Sequence, residues 1–223
     1  MTTHLRADAP VRATRRTPFP AWAWCGVAAG VLGLGGLMAT ANLYDPAAGL
    51  LADNEGLLAA VRGSAWMVLV HQAVCAVVAP LLVVFGVGLL RRLRSALPEG
   101  SLLPGVAAAG VGLTAVALMV GAGLDTDFWW ALPPSVGLDP DSVSGYVVFY
   151  NTIPWLWGGL ALSAGATAVA GLRHRAVGRP TAWWALVCAV LVGATQLAPA
   201  QYGAVLPGAL WLASAFTFAR PRP

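Results

Sequence analysis

Six apolar runs, separated by short polar segments, make up most of the chain after residue 20. Each run has roughly the 17–25 residues that a helix needs to cross the hydrocarbon core of a bilayer. The runs lie at residues 21–41, 64–90, 102–124, 146–172, 181–198 and 202–218. The pattern predicts an all-α fold, a polytopic six-transmembrane-helix bundle.

Arginine marks every second connection between the predicted spans. Twelve of the thirteen arginines fall in four short clusters, at residues 6–16, 91–94, 173–179 and 220–222. Most acidic residues, Asp53 and Asp139 among them, fall in the other connections. Cationic loops stay in the cytoplasm. We therefore expect both termini to be cytoplasmic, in a multi-pass protein of the inner (plasma) membrane.

Composition supports the membrane assignment and narrows the partners. The chain is 58% hydrophobic and 10% charged, with a mean hydropathy of +0.73. That is too little charge to cover a soluble protein of this length. The net charge of +4 does not indicate nucleic acid, because the arginines lie at predicted helix ends, where they meet lipid headgroups. The lack of lysine and the abundance of alanine favour a bacterial, GC-rich genome.

Two regions and a possible repeat describe the domain organisation. Residues 1–20 are polar and basic and are predicted to be a disordered cytoplasmic tail, and residues 21–223 form the membrane domain. Residues 21–94 and 102–175 share a layout of small-residue helix, acidic loop with Asp-Pro, longer helix and arginine end. This favours a tandem repeat of helical hairpins. The layout resembles that of uncharacterised bacterial integral membrane proteins, a resemblance that implies no activity.

Polar and aromatic side chains gather toward the acidic ends of the predicted spans. Polar groups in hydrocarbon are costly, so such a grouping indicates a binding site. The candidate ligand-binding residues are His71, Gln72, Asn151, Gln196, Tyr150, Trp129 and Trp130. Together they predict a polar pocket open to the outside. The competing interpretation is packing, in which amides join helices and aromatic rings lie at the membrane surface.

Motifs for catalysis and cofactors are few. No metal and no cofactor are predicted, because His71 has no second histidine or acid three or four residues away. His4 and His174 fall on the predicted cytoplasmic side, which excludes haem held by two histidines. Asp125 and Asp127 are the candidate catalytic residues, assigned to an outer loop beside three aromatic residues. With both carboxylates outside the spans, no charge relay is expected within the membrane.

Three classes of function stay open. The first is binding or transport of an apolar or lipid-like small molecule through a pocket in the outer half of the bilayer. The second is an accessory subunit of a membrane complex without its own pocket, or a homo-oligomer. The third is a membrane-embedded enzyme, such as a prenyl-chain cyclase or isomerase, in which an outer-loop carboxylate acts as general acid.

Cysteines introduced at Asp53 and Asp139 are expected to react with a membrane-impermeant maleimide in intact cells, whereas one at Ser95 is not. The reason is the arginine asymmetry, which puts the first two positions outside and Ser95 in the cytoplasm. The unmodified chain, with its three native cysteines, sets the background. Labelling of Ser95 from outside would overturn this orientation.

Overall fold

The regular structure of the chain is helical throughout the part described by the computed structural model, residues 20–198 and 200–219. The α-helices in it are α1 Ala21–Ala39, α2 Asn54–Gly63, α3 Ala65–Arg94, α4 Leu103–Ala131, α5 Pro140–Thr152, α6 Gly159–His174, α7 Arg179–Leu197 and α8 Val205–Ala213. The predicted all-α fold is confirmed for these residues. The tail predicted at residues 1–20 lies outside them except for Pro20.

Within the described residues, six helical segments are long and apolar enough to cross a membrane. They are Ala21–Ala39, Ala65–Arg94, Leu103–Ala131, Pro140–His174, Arg179–Leu197 and Gln201–Ala219. The outward side of α4 shows the surface that lipid contact requires, since Leu113, Val116 and Met119 are 58–62% exposed. The six predicted spans are thus confirmed in number and approximate position, and the chain has the pattern of a multi-pass membrane protein.

Two boundaries differ from the prediction by six residues or more, both at the acidic end of the bundle, which is the end that carries α2 and α5. Helix α4 continues seven residues beyond residue 124, and α5 begins at Pro140, six residues before residue 146. Helix α5 stops at Thr152, and a 3-10 turn over Ile153–Gly158 leads into α6. Proline at position 154 explains this break, because it removes a backbone donor. Helix α3, in contrast, continues through Pro80.

The spanning segments form a closed bundle in chain order. Helix α1 packs on α3, α3 on α4, α4 on α6 and α6 on α7, and α8 packs against both α7 and α1. Large side chains fill the interior, among them Phe85, Trp157, Leu160 and Trp211, each at most 1% exposed. The arginine-rich end of this bundle, defined by residues 91–94 and 173–179, lies opposite the acidic end.

A second, smaller core closes the acidic end, where α2 and α5 pack over the ends of α3 and α4. Its buried side chains include Leu57, Leu58, Val61, Val68, Phe128, Val143 and Val147. Polar contacts strengthen the layer: Arg62 Nε donates to the carbonyl of Leu132 at 2.8 Å, and Asn54 Nδ2 donates to the carboxylate of Asp141 at 2.9 Å. The layer covers the extra turns of α4 and the polar residues beneath them.

Helices α4 and α6 approach each other at small residues. A Cβ built on Gly110 would lie 2.5 Å from the carbonyl oxygen of Gly159 and 2.7 Å from the amide nitrogen of Ser163. Such distances are far below van der Waals contact, so only glycine fits at position 110. A Cβ on Gly112, two residues further along the same helix, would meet no atom within 4 Å.

Gly110→Ala is therefore expected to lower the melting temperature of the purified protein, because separating α4 from α6 costs about 1–3 kcal/mol. Gly112→Ala is the matched control on the same helix. It should leave the melting temperature unchanged or raise it, since alanine favours helix over glycine by about 1 kcal/mol. Equal effects of the two changes would contradict the close helix crossing.

Candidate functional site

A histidine and an aspartate from neighbouring helices are bonded to each other inside the bundle. His71 lies about two turns from the start of α3, and Asp125 lies about two turns from the end of α4. Nδ1 of His71 is 2.5 Å from Oδ2 of Asp125. Each residue is only 2% exposed. Each ionisable group therefore has the other as its polar partner, and almost no solvent reaches either of them.

The His71–Asp125 pair can hold one proton without carrying a net charge. With that proton it is either imidazolium beside carboxylate or imidazole beside carboxylic acid. Both forms avoid the several kcal/mol that an unpaired ion costs in a low-dielectric interior. Adding a second proton makes the pair positive, and removing the first makes it negative. The arrangement is therefore chemically suited to accept, store and release a proton.

Tyr150 of α5 and Cys75 of α3 lie against the His71 ring, and the segment after α1 holds Tyr150 in place. Tyr150 lies over the imidazole, with ring centroids 4.2 Å apart, and the Tyr150 hydroxyl donates to the carbonyl of Thr40 at 2.6 Å. Thr40 directly follows α1. Cys75, one turn along α3, places its Sγ 3.9 Å from Nδ1 of His71. Elements α1, α3, α4 and α5 thus meet at this ring.

A small cavity adjoins His71. Its volume is about 10 Å³, and its lining includes Thr40, His71, Tyr150, Asn151 and Tyr202. A space of this size holds about one water molecule and no larger ligand. The two nitrogens of an imidazole point in nearly opposite directions. With Nδ1 engaged by Asp125, Nε2 is the atom through which His71 can exchange a proton with water.

Three of the predicted ligand-binding residues come together here. His71 and Tyr150 are in contact, and Asn151 borders the same small cavity. Gln72, the next residue on α3 after His71, is partly buried. His71 lies in the bundle interior, and the cavity beside it is far smaller than a pocket for a lipid-like molecule.

The other three lie elsewhere. Gln196 of α7 packs on Gly158, since a Cβ built on that glycine would lie 2.5 Å from Cδ of Gln196. Trp129 packs at the margin of the second core, and Trp130 is 65% exposed. The sequence groups these residues because they lie at a similar depth along their helices. Depth does not determine the direction in which a side chain points.

The structure corrects the position predicted for Asp125 and Asp127. Both lie in α4 and not in a loop, and residues two apart on a helix point to nearly opposite sides. Asp125 faces His71, whereas Asp127 is exposed and accepts a hydrogen bond from the Tyr146 hydroxyl at 2.7 Å. The expectation that no carboxylate lies among the spans is thus wrong for Asp125.

A sequence signal for this placement exists. Ala122, Asp125, Phe128 and Leu132 recur at intervals of three and four residues, and all four are buried. That periodicity continues the inner face of α4 beyond the apolar run. A hydropathy profile alone does not detect this periodicity, because the charged Asp125 interrupts the apolar residues.

Three atoms that can bind metals converge at the pair. Nδ1 of His71, Sγ of Cys75 and a carboxylate oxygen of Asp125 all lie within 4.8 Å of one another. A count of histidines and acids alone misses Cys75. Two ligand atoms on one tetrahedral zinc ion are about 3.3 Å apart, whereas Nδ1 and Oδ2 are 2.5 Å apart. The observed geometry is that of a hydrogen-bonded pair.

Comparison with protein-family models, curated proteins and solved structures finds no significant match to this chain. The functional argument accordingly rests on the geometry around His71 and Asp125. That geometry combines two buried ionisable groups, an aromatic ring that fixes one of them and a cavity of the size of a water molecule.

Replacing one member of the pair is expected to destabilise the protein more than replacing both. His71→Leu or Asp125→Leu alone leaves a buried polar partner without its hydrogen bond, at a cost of about 3–5 kcal/mol. The double variant removes both groups and should recover most of that loss. The free energy of unfolding in mixed detergent micelles measures the cycle, with Asp127→Leu as the exposed control on α4. Additive single effects would show that the two groups do not interact.

Proposed function

We propose that this chain is a proton-linked membrane protein that binds or transports a small molecule, with the His71–Asp125 pair as the group that gains and loses the proton. The main support is one observation: two ionisable side chains, each 2% exposed, bonded to each other between spanning helices. Ionisable groups in such a place are expensive, and they mark ion and proton pathways in membrane proteins.

The proton transfer that we propose uses both nitrogens of His71. Water in the adjoining cavity delivers a proton to Nε2, and the proton on Nδ1 moves to the carboxylate of Asp125. Imidazole then remains neutral and Asp125 becomes a carboxylic acid, so the site has gained one proton in total. The hydrogen bond reverses, because the acid now donates to Nδ1. Release follows the same path in the opposite direction.

The surroundings of the pair favour transport over the other classes. The cavity beside His71, of about 10 Å³, has room for a water molecule and for no substrate, so the chemistry that it allows at the pair is the exchange of a proton. The break between α5 and α6 at Ile153–Gly158 gives the fourth span two helical parts, an arrangement found at the binding sites of secondary transporters. Tyr150, which lies on the His71 ring, belongs to the first of these parts.

We further propose the orientation and cargo that the sequence favours. The acidic end faces outward and the arginine-rich end faces the cytoplasm of a bacterial plasma membrane, with two related hairpins in tandem. The cargo is apolar or lipid-like, because the side chains that pack between the spans, such as Trp157, Leu160 and Trp211, are apolar. The supports are the positive-inside rule and the apolar character of the bundle.

Infrared difference spectra recorded between acidic and alkaline pH are expected to contain a carboxylic-acid carbonyl band from Asp125. The band should vanish in Asp125→Asn and shift in His71→Gln, because the imidazole is its hydrogen-bond partner. Asp127→Asn, two residues away on the same helix, should retain it. A wild-type spectrum without this band at any pH would make the pair a structural contact only and refute the proton-linked function.

In proteoliposomes, transbilayer movement of a fluorescent short-chain phospholipid is expected to depend on an imposed pH gradient. Asp125→Asn should abolish that dependence, because the carboxylate that takes up the proton from Nδ1 is gone, whereas Asp127→Asn should preserve it. Chemical quenching of the fluorophore in the outer leaflet measures the movement. Gradient-dependent movement that is unchanged in Asp125→Asn would assign the coupling to another group.

A further inference from the structure

A much larger cavity lies at the arginine-rich end of the bundle. Its volume is about 1190 Å³, and it opens between the end of α3, the connection from α6 to α7, the first turn of α7 and the segment 210–217. Arg92, which lines it, follows His71 by 21 residues on α3, so the two sites are about 30 Å apart. A volume of this size accommodates a lipid headgroup and the first part of its chains.

The charge of this cavity is positive. Arg92, Arg175 and Arg179 line it from three separate segments, and no acidic residue of the described chain is among its lining residues. The first turn of α7, with Gly178 and Thr181, also faces it. A helix N-terminus adds partial positive charge and unpaired amide groups. The polar part of the cavity is thus complementary to an anion, and guanidinium forks match phosphate oxygens in geometry.

The rest of the wall is apolar. Trp184, Leu210 and Phe216 line the cavity and are 39–42% exposed. These side chains come from α7 and from the segment after α7, beside the arginines. An inorganic anion would leave their exposed faces uncovered, whereas acyl chains would cover them. The cavity therefore has the two surfaces of an amphiphile, an anionic head and an apolar tail.

Arg175 has a backbone conformation that is unusual for a residue with a side chain. It ends α6 with φ of +54°, the single non-glycine residue with positive φ in the described part of the chain. Its amide donates to the carbonyl of Gly171 at 3.0 Å, and the amide of Ala176 donates to Ala170 at 3.1 Å. Glycine is the residue that this helix end favours, since a Cβ is strained there. Strained backbone positions of this kind cluster at ligand-binding sites, so Arg175 is a candidate to contact a ligand of the cavity.

We propose that this cavity binds an anionic phospholipid from the leaflet at the arginine-rich end. The phosphate lies against Arg92, Arg175, Arg179 and the first turn of α7, and the acyl chains lie along the apolar wall. The terminal segments of the chain are poorer occupants by charge. Residues 1–19 carry four arginines and one aspartate, and residues 220–223 carry two arginines and no acidic residue. The site is independent of the proton-linked function proposed for the other end.

Binding is tested on the full chain in neutral detergent. Dioleoylphosphatidylglycerol is expected to raise the melting temperature and to give a one-to-one adduct in native mass spectrometry. Dioleoylphosphatidylcholine, with the same acyl chains, and inorganic phosphate should do neither. Equal effects of the two lipids would overturn the anionic site. An equal effect of inorganic phosphate would overturn the lipid as its ligand.

Two double variants distinguish the effect of the cavity arginines from the effect of positive charge in general. Arg175→Gln with Arg179→Gln removes two cavity arginines, and Arg94→Gln with Arg173→Gln removes two exposed arginines that do not line it. Both lose two positive charges. The first should weaken phosphatidylglycerol binding roughly tenfold or more, because charged hydrogen bonds are lost. The second should retain wild-type affinity. Equal losses would overturn the proposal.

The variant Arg175→Gly tests whether weaker lipid binding could come from a loss of folding. Because glycine suits the positive φ, this variant should melt at the same temperature as the wild type, or higher, when no lipid is present. It should nevertheless show a smaller lipid-induced rise in melting temperature. Wild-type lipid binding by Arg175→Gly would remove the argument drawn from its backbone conformation and with it the assignment of Arg175 to the phosphate.

Discussion

The acidic end of the bundle depends on one constraint, that a polar group among apolar helices must have a partner. Nδ1 of His71 and the carboxylate of Asp125 satisfy each other, and the Tyr150 hydroxyl satisfies the carbonyl of Thr40 where α1 ends. The layer formed by α2 and α5 covers both contacts. Without that cover the last turns of α4 would lie in water, and Asp125 would have no reason to face inward. The proposed proton-linked function rests on the same constraint, because a pair that is shielded this well acts strongly on its surroundings when its charge changes.

The spans were predictable because bilayer thickness sets the length of an apolar helix, and all six recur in the structure. The place of Asp125 inside a span was not predictable, because a hydropathy profile treats a carboxylate as the end of a span. The histidine that neutralises it lies 54 residues away in the sequence. Cys75 could have been found, since it follows His71 by one helical turn. Gln196 shows a different limit: it lies at a suitable depth but on α7, which packs against α6 and α8 and leaves that side chain against Gly158.

Helix α3 carries both sites, so the distance between them decides how they can influence each other. A proton at the His71–Asp125 pair and a phosphate at the arginine cavity would be about 30 Å apart. At an effective dielectric constant of about 20, opposite unit charges at that distance attract by about 0.5 kcal/mol, which changes an affinity by less than threefold. Any stronger dependence of lipid binding on pH requires movement of α3 itself. Pro80 lies between the two sites and leaves one carbonyl of α3 without its usual donor, so the helix has a defined place at which to bend.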